Sequence, residues 1–123
     1  MGINKIQNKK DGEFMADLAS KKCIPCSVGA PSLMEDEIEE LKKSLKEGWE
    51  VIDNKKLKKI FKFRNFKEAL DFTNKIGAIA EEEGHHPDIH LSWGRVVIEL
   101  WTHKIGGLHE NDFILAAKID KIA

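Results

Sequence analysis

All five histidines of this 123-residue chain fall between His85 and His109. Imidazole exchanges its proton near neutral pH, so such a cluster points to acid/base chemistry or to metal binding. Three of the five have a reason to meet. Gly84-His85-His86-Pro87 lies where a helical pattern gives way to a strand pattern, and His103 ends the strand that should pair with the one starting after Pro87. In an antiparallel hairpin the start of the first strand and the end of the second are neighbours, so His85, His86 and His103 are expected at one edge of a sheet. Pro87 biases His86 toward an extended backbone and turns the two adjacent imidazoles in different directions. His90 alternates with Ile89 and Leu91 and is expected on the opposite, surface or interface side. His109, near the start of the last helix, is expected to be solvent-exposed or a poor cap.

Metal binding competes with proton transfer. Zinc accepts histidine and cysteine, and a Cys23-x-x-Cys26 pair is available. There is no second such pair and no helical HxxxH, and adjacent histidines do not easily chelate one ion. No metal is therefore expected. Thioredoxin-like redox pairs sit between a strand and a helix, whereas this pair precedes the regular fold, so a structural or incidental thiol role is expected.

These residues must be positioned by a small scaffold. Residues 1–31 read as a flexible tail and an extended Lys-Lys-Cys-Ile-Pro-Cys lead-in, with Met15 as a second possible start; residues 32–123 read as the folded domain. Ser32 with Glu35 forms a capping-box pattern, and Met34, Ile38, Leu41 and Leu45 recur at helical spacing until Gly48, predicting a helix over about 33–47. Trp49 to Ile52, an Asp53-Asn54 turn and Leu57 to Phe63 predict a hairpin whose alternation Lys59 interrupts. Asn65 with Glu68 opens a second helix that runs to Gly84. Ile89 to Trp93 and Val96 to Thr102 predict a second hairpin, and Phe113, Leu115, Ala116, Ile119 and Ile122 give a last helix its apolar side. Each strand pair has one apolar face to cover, so the expected fold is α+β: a two-layer sandwich with a four-stranded, mostly antiparallel sheet and helices on one face. Open edges of so small a sheet favour a homo-oligomer.

Composition narrows the partners. The chain is 41% apolar and 33% charged, with a formal net charge of −1, which is unlike the basic excess of a nucleic-acid binder. Apolar runs such as Val96-Val97-Ile98 fall far short of the roughly 20 residues a membrane span needs. No N-terminal stretch has the form of a secretory signal, so a cytoplasmic location is expected. The lysines from Lys55 to Lys62 read as a solvated strand face that resists edge pairing.

Glu81-x-x-x-His85-His86-Pro87, followed by Trp93, His103 and Asp112, resembles the signature of pterin-4a-carbinolamine dehydratases. The resemblance runs from about Ser32 to Ala117 and includes Gly48-Trp49, the Phe61 to Phe66 entry to the second helix, and Thr102-His103. The cysteine lead-in is similar to that of bacterial members. The resemblance implies dehydration of 4a-hydroxytetrahydropterin to quinonoid dihydropterin without metal or organic cofactor. It also implies a functional link to a pterin-dependent aromatic amino acid hydroxylase, and a homodimer or homotetramer. It implies that His85, His86 and His103 are catalytic, that Trp49, Pro87, Thr102, Lys104 and Ile105 join them in contacting the pterin, and that Glu81 and Asp112 support them. Gly84 stands where some members have an acidic residue, and Lys104-Ile105 where animal forms have Glu-Cys. Animal relatives also serve as dimerisation cofactors for a homeodomain transcription factor, so an interaction module of the same fold is the alternative.

Overall fold

A computed structural model describes residues 17–25 and 30–123. After a 3-10 turn, Asp17–Ser20, the elements are α1 (Glu35–Lys42), β1 (Glu50–Ile52), β2 (Lys56–Lys62), α2 (Phe66–Glu83), β3 (Asp88–Ser92) and β4 (Arg95–Leu100). A second 3-10 turn, His103–Ile105, leads into α3 (Glu110–Ile122). The four strands form one antiparallel sheet in the order β1-β2-β4-β3, the expected α+β architecture.

Period-two alternation decides which face is covered. Leu57 and Phe61 of β2, with Val96, Ile98 and Leu100 of β4, are buried and pack with Ala69, Phe72 and Ile76 of α2 and Phe113, Leu115 and Ile119 of α3. Ile60 and Lys62 point to the open face. The second helix has the ends its sequence announces. The Asn65 side chain accepts a hydrogen bond from the N–H of Glu68 at 2.9 Å, and Gly84 closes the helix at φ 66°.

The first helix is shorter than its pattern. Leu33 donates its N–H to the carbonyl of Leu108 at 2.9 Å, which keeps the chain extended, so the helix starts after Met34. Glu37, instead of Glu35, then accepts from the Met34 N–H at 2.8 Å. At the other end the helix stops at Lys42, because the N–H of Lys46 turns away to donate to Asp120 Oδ2 at 3.0 Å. Gly48, expected to end the helix, instead takes φ 109° in the turn before β1.

Asp120 also explains the interrupted alternation in β2. Lys59 faces the covered side and pairs with Asp120 Oδ1 at 2.8 Å, and the indole Nε1 of Trp49 donates to the same carboxylate at 3.0 Å. The Lys59 ammonium lies 4.9 Å from the centre of the Phe61 ring. Trp49 is only 3% exposed and packs edge-on to Phe61 at 6.3 Å. It is therefore a core residue.

The expected tail is partly folded. Leu18 is 2% exposed within the core, Lys118 Nζ donates to the carbonyl of Ala19 at 2.7 Å, and Lys21 pairs with Glu110 at 2.8 Å. One apolar side chain draws this segment into the packing. Residues 1–16, including Met15, and Cys26 lie outside the described residues. No helix among the described residues is long and apolar enough to cross a membrane.

Removing one member of a nearly buried ion pair strands the other. Asp120→Ala is expected to lower the unfolding free energy by about 3 to 5 kcal/mol in a denaturant titration, and a loss below about 1 kcal/mol would show the network to be dispensable.

Candidate active site

Gly84 ends α2 in the left-handed conformation and turns the chain out of the helix, so that His85 and His86 leave its end instead of continuing its surface. Across from them, β4 runs out through Trp101 and Thr102 into the turn His103–Ile105. The bridge from Thr102 N–H to the carbonyl of Gly107, 2.9 Å, fixes that turn, and Gly106 closes it at φ 64°. Antiparallel pairing of β3 with β4 places the two segments side by side. His85, His86, Thr102, His103 and Lys104 consequently line one open cavity of about 520 Å³.

Each of the first two imidazoles has a carboxylate partner. His85 Nε2 lies 2.6 Å from Asp112 Oδ1, with 13% of the imidazole and none of the carboxylate exposed. Asp112 also accepts from the Thr102 hydroxyl at 2.8 Å and the His109 N–H at 3.0 Å. A carboxylate can only accept, so Nε2 of His85 is the donor in this pair. His86 Nε2 stands 2.6 Å from Glu81 Oε2 in a solvent-exposed pair. His103 is held differently: its ring stacks on Trp101 with centroids 4.1 Å apart and a 32° tilt.

Not every residue singled out in the sequence reaches this cavity. Trp49 is in the core against Asp120, and Pro87 and Ile105 flank the lining segments without entering the wall. His90 is exposed on the open sheet face, 3.9 Å from Glu99. His109 is a working cap, since its Nδ1 accepts from the N–H of Asn111 at 3.0 Å. Trp101 was missed, although it directly precedes Thr102-His103.

The lead-in forms a second wall that periodicity could not reveal. Cys23, Ile24 and Pro25 line the cavity with Glu83 and Asn111. Asn111, 2% exposed, clamps Ile24 with its amide: Oδ1 accepts from the Ile24 N–H at 3.0 Å and Nδ2 donates to the Ile24 carbonyl at 2.6 Å. Glu83 accepts from the Cys23 N–H at 2.9 Å and pairs with Lys118 at 3.5 Å. Burial, reinforced by the Glu83 charge, pushes the Cys23 thiol up to about 12. A thiol held so high is protonated at neutral pH. Among the described residues no three His, Cys, Asp or Glu side chains converge as a metal-ion ligand set.

The Cys23 N–H, followed by Lys118, holds the Glu83 carboxyl below its ordinary value of 4.5. A depressed carboxyl stabilises the folded state above the unfolded value, and that contribution is lost as pH falls through the folded one. Unfolding free energy should therefore decline below about pH 4.5, and Glu83→Gln should flatten this decline. An identical acid limb in the variant would show that Glu83 does not carry it.

The sequence profile of the family described as pterin 4 alpha carbinolamine dehydratase matches residues 31–122. A relative from Alkaliphilus metalliredigens, named as a candidate pterin-4-alpha-carbinolamine dehydratase, is 60% identical over 107 residues, covering 87% of this chain and 96% of that one. A relative from Rubrobacter xylanophilus with the same name is 53% identical, covering 88% of this chain and 100% of its own. Among solved structures, a transcriptional coactivator/pterin dehydratase from Brucella melitensis superposes with a TM-score of 0.70 at 33% identity, over 75% of this chain and 98% of that one. A pterin dehydratase-like protein described as a RuBisCO assembly factor in the alpha-carboxysome gives 0.53 at 27% identity, over 62% and 89%. A profile match over about three quarters of the chain, relatives more than half identical and a shared fold lead to one conclusion: the chain belongs to the pterin 4 alpha carbinolamine dehydratase family.

Proposed function

We propose that the protein is a dehydratase that converts 4a-hydroxytetrahydropterin to quinonoid dihydropterin and water by histidine acid/base catalysis. The observation that carries this reading is the meeting of three imidazoles on one cavity, two with carboxylate partners and one without. Breaking the C4a–O bond needs a proton on the departing hydroxyl, and forming the C4a=N5 double bond needs a base for the N5 proton. One proton is given and one is taken, so the reaction balances with no metal, oxidant or organic cofactor. His85 or His86 is the acid, each with a carboxylate to stabilise the imidazolium form. His103 is the base. Its ring engages no hydrogen bond among the described residues and has a nitrogen lone pair free.

Asp112 and Glu81 orient the first two imidazoles and transfer no proton to substrate. Thr102, through its hydroxyl on Asp112, steadies that carboxylate, and Lys104 lies at the rim. The enzyme would act in pterin recycling beside an aromatic amino acid hydroxylase, in the cytoplasm, where a free thiol such as Cys23 stays reduced. The competing reading is a scaffolding role like that of the pterin dehydratase-like RuBisCO assembly factor. The complete histidine set of this chain favours catalysis.

His103→Ala and His86→Ala should each slow the loss of 4a-hydroxypterin absorbance by at least about tenfold, the lower range for a lost general acid or base. Unchanged rates in both would end the mechanism.

A homodimer or homotetramer is part of the same proposal. Among the described residues β1 and β3 are the sheet edges, and Ile52, Ile60 and Trp93 are exposed. Light scattering should report an oligomer at working concentration, and a monomer would refute it.

A further inference from the structure

His103 differs from the other two histidines in what holds it. His85 and His86 are each fixed by a carboxylate at 2.6 Å, whereas His103 projects from a short exposed turn and its ring engages no hydrogen bond among the described residues. Left to itself, such a side chain samples several rotamers. A proton acceptor must instead hold its nitrogen close to a bound N5. The contact that restricts the ring is the indole of Trp101, stacked at 4.1 Å.

The indole is itself anchored. Its Nε1 donates to Asp88 Oδ2 at 3.3 Å, and the Lys56 ammonium lies 5.5 Å from its ring centre while pairing with Glu99 at 3.4 Å. Lys56 belongs to β2 and Asp88 to β3, the strands on either side of β4, so the indole is tied across the sheet to both neighbours of its own strand.

We propose that Trp101 is the positioning residue for His103, its stacked indole selecting the ring orientation in which His103 accepts the substrate proton. The inference rests on the dehydratase reading of the cavity. Trp101 does for His103 what Asp112 does for His85 and Glu81 for His86, by stacking instead of hydrogen bonding. Although Trp101 also lines the cavity, its effect on the reaction is exerted through His103 and is lost with that imidazole.

The test compares Trp101→Ala, Trp101→Phe, His103→Ala and the double variant His103→Ala/Trp101→Ala in the dehydratase assay, with folding checked by circular dichroism. Histidine ring-proton NMR spectra are recorded in the absence of substrate. Trp101→Ala should lower kcat about tenfold with KM nearly unchanged, Trp101→Phe should recover most of the rate, and adding Trp101→Ala to His103→Ala should cost nothing further. The His103 ring protons should be shifted upfield by the indole in the unmodified protein, remain so in Trp101→Phe and relax in Trp101→Ala. If Trp101→Ala does not fold, Trp101→Leu, apolar but unable to stack, takes its place in every arm.

Equal losses from Trp101→Ala with and without His103 would overturn the inference, as would a raised KM with intact kcat or unshifted His103 signals in the unmodified protein. An inactive unmodified protein would instead refute the dehydratase reading, and the NMR comparison would still decide the stacking.

Discussion

The structure turns on one buried carboxylate. Asp112 is wholly enclosed, and an enclosed charge is tolerated only when its lone pairs are matched by donors. It finds three: the Thr102 hydroxyl, the His109 N–H and the His85 ring. Those donors come from the exit of β4, the cap of α3 and the loop after α2. One group thus fixes the relative positions of three segments that are remote in sequence, and the cavity lies between them. The position also suits the charge, since Asp112 occupies the first turn of α3, where unpaired N–H groups favour an anion.

A second carboxylate does comparable work farther along the same helix. Asp120 gathers Lys59, the Lys46 N–H and the Trp49 indole, tying α3 to β2 and to the turn before β1. The helix therefore presents polar anchors near both ends of an otherwise apolar buried side. This division accounts for the burial of Trp49 in the core. Its indole N–H has a partner there, and Trp101 takes up the aromatic place beside the histidines.

What could be read in the sequence was what obeys a local rule. Asn65 and Gly84 announce α2 because a cap and a left-handed stop are decided within a few residues. The convergence of His85, His86 and His103 followed from hairpin geometry alone. The errors arose where a distant partner decided the outcome. Leu108 kept Leu33 extended, Asp120 drew Lys46 out of the helix and gave Lys59 a reason to face inward, and Leu18 found a place in the core. None of these partners is close in sequence to the residue it governs. The Ile24 clamp is hidden for the same reason, as its Asn111 partner lies 87 positions away.

That clamp separates two properties of the cavity. The histidines and their carboxylates all lie within residues 31–122, the span matched by the family profile, whereas Cys23, Ile24 and Pro25 precede it. One part of the wall is thus written in a different stretch of chain from the histidines. Changes before residue 31 can recast this part of the wall while leaving the histidine–carboxylate pairs where they are. The outline of the cavity can vary in this architecture without any change in the histidines it holds.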